Sequence, residues 1–252
     1  MQKSLSRGSS LVVLTLTLVA ASFGLGQSAE AAARTVARNQ RVLLLVSALS
    51  NGSARYRALY EFMEAQGVSQ AQSKLGAKYR RIYLLQGVRA TRAEFVRSLT
   101  SLTSSAENRA VDLFVQTHGG DGILYFTDGG TRTSGLGRDL ANTGLNGKAR
   151  ALYSTACYGS THINDFLAAG FLVGSGSRRV NASSSYEYPR FLTEWGGDAQ
   201  FGNAIAVADN ASARDASDWT AEYVLGYDHV DSQKVVTGRR STKISLDPTS
   251  VR

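Results

Sequence analysis

Two residues of this sequence, Cys157 and His118, carry side chains suited to nucleophilic acyl transfer. Cys157 is the only cysteine in the chain and directly follows an apolar run at residues 149–155 and one alanine. His118 directly follows an apolar run at residues 111–117. A thiol attacks as its thiolate, and a nearby imidazolium lowers the pKa of a thiol. The same imidazole can protonate a leaving amine, so we expect Cys157 to be a nucleophile and His118 its acid–base partner.

Gly119, which follows the histidine, extends this prediction. A glycine at that position lets the backbone approach a reacting carbonyl. Its N–H and that of Cys157 would then form an oxyanion hole. The inert alternative for Cys157 is a buried thiol that packs as a small hydrophobe, and a lone histidine is often only a surface or core residue. The joint pattern of two apolar runs ending in these residues favours catalysis.

The elements that must position these residues follow from hydrophobic patterning. Continuous apolar runs predict strands buried on both faces. Between them, helical spacing predicts helices, one of which begins at Thr91 with Glu94 completing a capping box. Strands are predicted at 41–48, 81–86, 111–117, 149–155 and 171–174, a hairpin at 123–133, and helices at 54–66, 91–102, 136–140, 161–169, 199–208 and 213–225.

Alternation of strands and helices predicts an α/β fold with a mostly parallel sheet. In open α/β sheets, sites form beyond the carboxyl ends of the strands. Neighbouring strands lie about 5 Å apart in the hydrogen-bonding direction. His118 and Cys157 would therefore face each other if their two strands are neighbours.

The first 33 residues have the layout of a secretory signal peptide. Lys3 and Arg7 are followed by an apolar run at 11–26 and by small-residue cleavage sites up to Ala33. A membrane anchor is the alternative, but the run is short for a span. We expect a secreted or periplasmic protein with one domain at residues 34–252, and no stable membrane insertion once the leader is removed.

The charge pattern argues against a nucleic-acid partner. The net charge is +8, but the Lys and Arg residues are scattered instead of forming a stripe. The histidines 118, 162 and 229 have no spacing typical of a metal site. We therefore expect no cofactor and no metal, and a peptide or protein as the substrate.

The segments LFVQTHGG, ending at Gly120, and ALYSTACYGS, ending at Ser160, resemble the caspase-like superfamily of cysteine peptidases. That superfamily includes caspases, metacaspases, gingipains and legumains. Its signature is an apolar strand ending in His-Gly followed by one ending in Ala-Cys or Ser-Cys. The resemblance implies a three-layer α/β/α sandwich with a mostly parallel sheet of about six strands. It also implies a cysteine-type endopeptidase in which His118 and Cys157 are the catalytic dyad.

A narrower likeness is to legumains. Ser-Asn-Gly at residues 50–52, followed by Tyr-Arg ending at Arg57, is similar to their SNG…YR segment, whose arginine lines the substrate pocket. Ser184 and Ser185 resemble a second pocket stretch. Thr155 stands where legumains have Glu, metacaspases Asp and caspases Gln. An arginine-lined pocket without that acid would favour an acidic or amide side chain.

Two alternatives come from other classes. In an α/β-hydrolase esterase, the His-Gly-Gly segment would be the oxyanion loop and residues 155–159 would approach a nucleophile elbow. Its base would come late in the chain, as His229. The other alternative is a catalytically inactive exported binding domain on a peptidase-like frame. Its recognition surface would use the aromatic side chains Tyr186, Tyr188, Phe191 and Trp195, which are more often core or substrate wall.

Overall fold

The computed structural model describes residues 34–52 and 56–251 of the chain. The predicted signal peptide at residues 1–33 lies outside the described residues. Within the described ranges, no helix has both the length and the apolar character needed to cross a membrane.

The described residues form strands that alternate with helices along most of the chain. In chain order the strands are β1 (Arg41–Ser47), β2 (Arg81–Gln86), β3 (Ala110–Gln116), β4 (Gly119–Gly120), β5 (Ile123–Phe126), β6 (Gly129–Arg132), β7 (Ala149–Ser154), β8 (Val173–Ser177) and β9 (Lys234–Gly238). The helices are α1 (Arg57–Leu75), α2 (Arg92–Ser104), α3 (Thr133–Thr143), α4 (Ile163–Ala169), α5 (Ser184–Gly196), α6 (Phe201–Ala208) and α7 (Ala211–Trp219). A π-helical turn, Thr220–Val224, continues from α7.

The main sheet has six strands in the order β2-β1-β3-β7-β8-β9, and β4-β5-β6 form a small separate sheet. All neighbours in the main sheet are parallel except β9, which runs antiparallel to β8. Ser47 pairs with Gln116, and Val115 pairs with Ser154. The carboxyl ends of β1, β3 and β7 therefore lie level with one another. The predicted α/β fold with a six-stranded, mostly parallel sheet is confirmed.

Alternating side chains of each central strand pack on opposite faces of the sheet, as the two-residue period of a strand requires. On β1, Val42, Leu44 and Val46 belong to the core that includes apolar residues of α2, α3 and α4. Leu43 and Leu45 belong to the core that includes α1, α5 and α6. The continuous apolar run of β1 thus follows from burial on both sides, and the layers are helix, sheet and helix.

The amino-terminal ends of β3 and β7 are joined by a fully buried ion pair. Arg150 Nη2 lies 2.6 Å from Asp112 Oδ2, and both side chains are inaccessible to solvent. The hydroxyl of Tyr79 donates to the same carboxylate at 2.5 Å. Arg150 also donates to the carbonyl oxygens of Ile244 and, at 2.9 Å, Leu246. Every charge in this cluster has a partner, as buried charges require.

Several elements differ from the sequence expectation. Helix α1 continues through Gly67 to Leu75 instead of ending at residue 66, and β8 spans Val173–Ser177 instead of 171–174. Helix α5 was not predicted, because its first turn is serine-rich and Pro189 lies inside it. Its Tyr188, Phe191 and Trp195 are buried in the core, so they cannot form the recognition surface considered for an inactive binding domain. Strand β9 was also not predicted, since its edge position leaves it only partly buried and interrupts the apolar pattern.

Candidate functional site

His118 and Cys157 lie just beyond the carboxyl ends of the neighbouring parallel strands β3 and β7. Both line one cavity of about 460 Å³. The geometry follows from the parallel pairing of the two strands, because level carboxyl ends place the residues that follow them side by side. The structure therefore brings the two residues of the proposed dyad to one cavity.

A hydrogen bond to the Leu49 carbonyl and packing against Tyr60 fix the ring of His118. Its Nε2 lies 2.9 Å from the carbonyl oxygen of Leu49. A carbonyl only accepts hydrogen bonds, so this partner assigns the proton to Nε2 and leaves Nδ1 as the basic atom of the neutral ring. Tyr60 packs edge-on against the imidazole at 4.6 Å between ring centroids. A Cβ on Gly52 would lie 2.2 Å from Nε2, so only glycine fits beneath the ring.

The thiol of Cys157 is half-buried and accepts a hydrogen bond from the backbone N–H of Asn181 at 3.4 Å. Burial raises the pKa of Cys157, and the Asn181 N–H and the charge of Lys234 only partly oppose that rise. This direction is opposite to the lowered pKa expected from the sequence. The resting thiol is therefore protonated, and an attack on a carbonyl requires a base that removes the proton.

The turn that carries Cys157 rests directly on β8. Tyr158 adopts a left-handed conformation with φ +56° and donates its N–H to the carbonyl of Arg179 at 2.7 Å. A Cβ on Gly159 would lie 2.9 Å from Gly176 Cα, and a Cβ on Gly176 would lie 2.3 Å from the carbonyl carbon of Gly159. The two backbones touch where neither residue has a side chain.

Gly119 lies against the backbone of Cys157. The N–H of Tyr125 donates to the His118 carbonyl at 3.1 Å, and Gly119 pairs with Leu124 in the antiparallel β4–β5 ladder. Bonded and non-bonded pairs alternate in such a ladder, so the N–H of Gly119 points away from β5. A Cβ on Gly119 would lie 2.2 Å from the Cys157 carbonyl oxygen and 3.2 Å from its nitrogen. Glycine is required here for the two backbones to approach.

His162 holds β4 in place through a hydrogen bond to its backbone. Its side chain is buried, with 1% of its surface exposed, and its Nε2 lies 2.8 Å from the carbonyl of Gly120. Burial lowers the pKa of His162, against the opposing effects of the Gly120 carbonyl and the carboxylates of Asp165 and Asp121. Among the described residues Nδ1 has no hydrogen-bond partner. This role of His162 could not be foreseen from the sequence, because the partner carbonyl lies 42 positions away in the chain.

A second buried ion pair, between Lys234 and Glu187, lies next to the carboxyl end of β7. Lys234 Nζ is 2.7 Å from Glu187 Oε1, and it donates to the Ser154 carbonyl at 3.1 Å. The hydroxyl of Tyr153 donates to Glu187 at 2.7 Å. The lysine belongs to β9, which the sequence did not predict, so its position near Cys157 could not be foreseen.

Three of the four predicted substrate-binding residues lie together at the cavity. Thr155, Ser184 and Ser185 line the cavity, the two serines from the first turn of α5. Arg57 is exposed at the first position of α1 and is not among the described residues that line the cavity. His229, the base of the esterase alternative, is also exposed and outside that lining.

Within residues 34–52 and 56–251, no cluster of three or more His, Cys, Asp or Glu side chains is arranged to hold a metal ion.

No family model matches the sequence, and no curated protein matches it significantly. The likeness to caspase-like peptidases therefore rests on the short segments of this chain described above.

Proposed function

We propose that this chain is an exported cysteine-type endopeptidase with the chemistry of the caspase-like superfamily. Cys157 is the nucleophile and His118 its acid–base partner. The observation that carries the proposal is the sharing of one cavity by these two side chains. The bond from His118 to Leu49 adds to it, because that bond leaves the other ring nitrogen basic.

Proton transfer accompanies attack in this mechanism, because the raised pKa of Cys157 keeps the resting sulfur protonated. Nδ1 of His118 accepts the thiol proton while sulfur forms a bond to the substrate carbonyl carbon. The amides of Gly119 and Cys157 donate to the oxyanion. The imidazolium then protonates the amine as the C–N bond breaks. Water, deprotonated by the same imidazole, hydrolyses the thioester and restores the thiol, so no cofactor takes part.

Export is the part of the proposal that rests on residues 1–33. Their positive start, apolar run and small-residue end are typical of a cleaved leader. A fusion of residues 1–33 to a reporter protein is expected to deliver the reporter outside the cytoplasm, with a mature amino terminus near residue 34. Retention of the uncleaved fusion in the cytoplasm would contradict export without touching the catalytic proposal.

A peptide-library digest read by mass spectrometry tests the catalytic proposal. Cleavage by the wild type is expected to fall at least 10⁴-fold in Cys157→Ala, on the scale seen when a catalytic nucleophile is removed. His118→Ala is expected to fall comparably. His229→Ala is the matched control, since this histidine is exposed and outside the cavity lining. Loss in His229→Ala with retention in His118→Ala would favour the esterase instead.

One observation favours a second candidate, the catalytically inactive binding domain. A buried thiol with a raised pKa is the state typical of an inert structural cysteine. Identical cleavage profiles from the wild type and a correctly folded Cys157→Ala variant would replace the peptidase proposal with this candidate.

A further inference from the structure

The cavity beside Cys157 is walled by uncharged side chains. Of the residues that the structure describes, no Asp, Glu, Lys or Arg lines it, and His118 is its only basic group. Tyr60 stands in the wall, and burial raises its pKa, so that its hydroxyl stays neutral. An ionic side chain that entered would lose its hydration without meeting an opposite charge.

Apolar side chains approach the cavity from two helical segments. Leu59 and Met63 come from α1, while Ala221 and Leu225 come from the π-helical turn and the residue after it. Leu59 and Leu225 remain 47% and 44% exposed although both line the cavity. Exposed apolar side chains grouped at a cavity mouth are typical of a binding site, and π-helical turns occur often at functional sites.

A hydroxyl pair joins α1 to the chain just after the π-helical turn, next to His118. The side-chain oxygens of Tyr60 and Tyr227 lie 3.1 Å apart. Because the ring of Tyr60 also contacts the His118 imidazole, the apolar wall begins at the dyad and extends outward. A side chain placed in the cavity would therefore belong to a residue close to the bond under attack.

We propose that this cavity is a specificity pocket for a bulky, uncharged apolar side chain next to the scissile bond. The inference rests on the proposed peptidase function. Such a side chain gains by leaving water for an apolar wall. The acidic or amide preference implied by the legumain likeness requires Arg57 in the pocket, and Arg57 is not among its described lining residues.

Matched fluorogenic peptides that differ only at one position test the pocket. Peptides with Leu or Met beside the scissile bond are expected to be cleaved with a kcat/KM at least 100-fold above those with Asp, Lys or Arg. Ala216→Glu adds a carboxylate to the wall at an exposed helical position and is expected to raise the Lys-to-Leu ratio at least tenfold. Arg57→Ala is the control and is expected to leave all ratios within twofold.

The outcomes separate this inference from the proposed function. A preference for Asp or Asn that disappears in Arg57→Ala would overturn the pocket inference and retain the peptidase. If no peptide is cleaved, calorimetry with Cys157→Ala and the same peptides decides. Tighter binding of the Leu peptide than of the Asp and Lys peptides would support the pocket although the peptidase failed. Equal binding, or none, would overturn both.

Discussion

The two ends of strands β3 and β7 differ sharply in how their polar groups are satisfied. At the amino-terminal ends, Asp112 and Arg150 are fully buried and bonded to each other and to surrounding groups. At the carboxyl ends, His118 and Cys157 stand beside an open cavity, and the thiol accepts a single long hydrogen bond from a backbone amide. The same pair of strands thus carries a fully hydrogen-bonded cluster at one end and the proposed catalytic dyad at the other.

This difference indicates that the amino-terminal ends of the two strands stabilise their pairing, while the carboxyl ends shape the cavity. A fully paired ionic cluster fixes the spacing of two strands because breaking it leaves a buried charge. The residues beyond the other ends of those strands can then remain incompletely satisfied without the strands moving apart. The buried ion pair at one end of these strands is therefore expected to hold the proposed dyad in register at the other end.

Arg150→Met is expected to have the largest effect, lowering the free energy of unfolding by about 3–5 kcal/mol because Asp112 is left buried and unpaired. Urea denaturation followed by circular dichroism measures it. The matched control is Arg178→Met. Arg178 is 53% exposed and 3.9 Å from Asp231, so its loss is expected to cost less than about 1 kcal/mol. Similar small losses in both variants would break the comparison between the two ends.

Lys234→Met tests the ion pair that lies on the reactive side. It leaves Glu187 buried without its cation, at an expected cost of about 3 kcal/mol in unfolding free energy. It also removes a charge that lowers the pKa of Cys157, so alkylation of that thiol is expected to slow. The double variant with Glu187→Gln is expected to recover stability but not the alkylation rate. Full recovery of both would mean that the lysine is purely structural.

The pH dependence of alkylation sharpens the account of the thiol. Because burial raises the pKa of Cys157, labelling by iodoacetamide is expected to increase about tenfold per pH unit from about pH 6 to about pH 9, as the thiolate fraction grows. Mass spectrometry follows the modification, and the same chain in urea provides the unburied reference. Rapid labelling that is flat near neutral pH would instead indicate a preformed thiolate–imidazolium pair.

The smallest expected effect is the contribution of His162 to the pH dependence of the free energy of unfolding. Its pKa is lowered by burial, so the unfolded chain takes up the proton at a higher pH than the folded chain does. The stabilisation is present above the unfolded value, about 6.5, and is lost as the pH falls below it, by at most about 1.4 kcal/mol per pH unit. In His162→Gln, which can still donate to Gly120, that slope is expected to disappear. An unchanged slope would assign it to other groups.

The strands around the site could be predicted because burial on both faces favours apolar residues, uninterrupted from Val42 to Val46 in β1 and broken only by Asp112 between Val111 and Val115 in β3. The N-cap of α2 was also predictable, and Thr91 Oγ1 does accept from the Glu94 N–H at 3.1 Å. The Glu94 carboxylate accepts from Arg97 and Ser98 instead of completing the expected capping box. The remaining features depend on tertiary contacts with no local signal. Lys234 and His162 have partners on distant segments, and the side to which Arg57 points depends on helix orientation.

The glycine contact between the nucleophile turn and β8 restricts how this chain can vary. Gly159 and Gly176 each occupy the space that the other's Cβ would need, so replacing one cannot be compensated by the other. One added methyl group at either position would push the turn that carries Cys157 away from β8, since dense interiors transmit strain. The cavity wall supplied by α7 and the π-helical turn is partly exposed, so it is expected to accept substitutions that the segment bearing the thiol cannot.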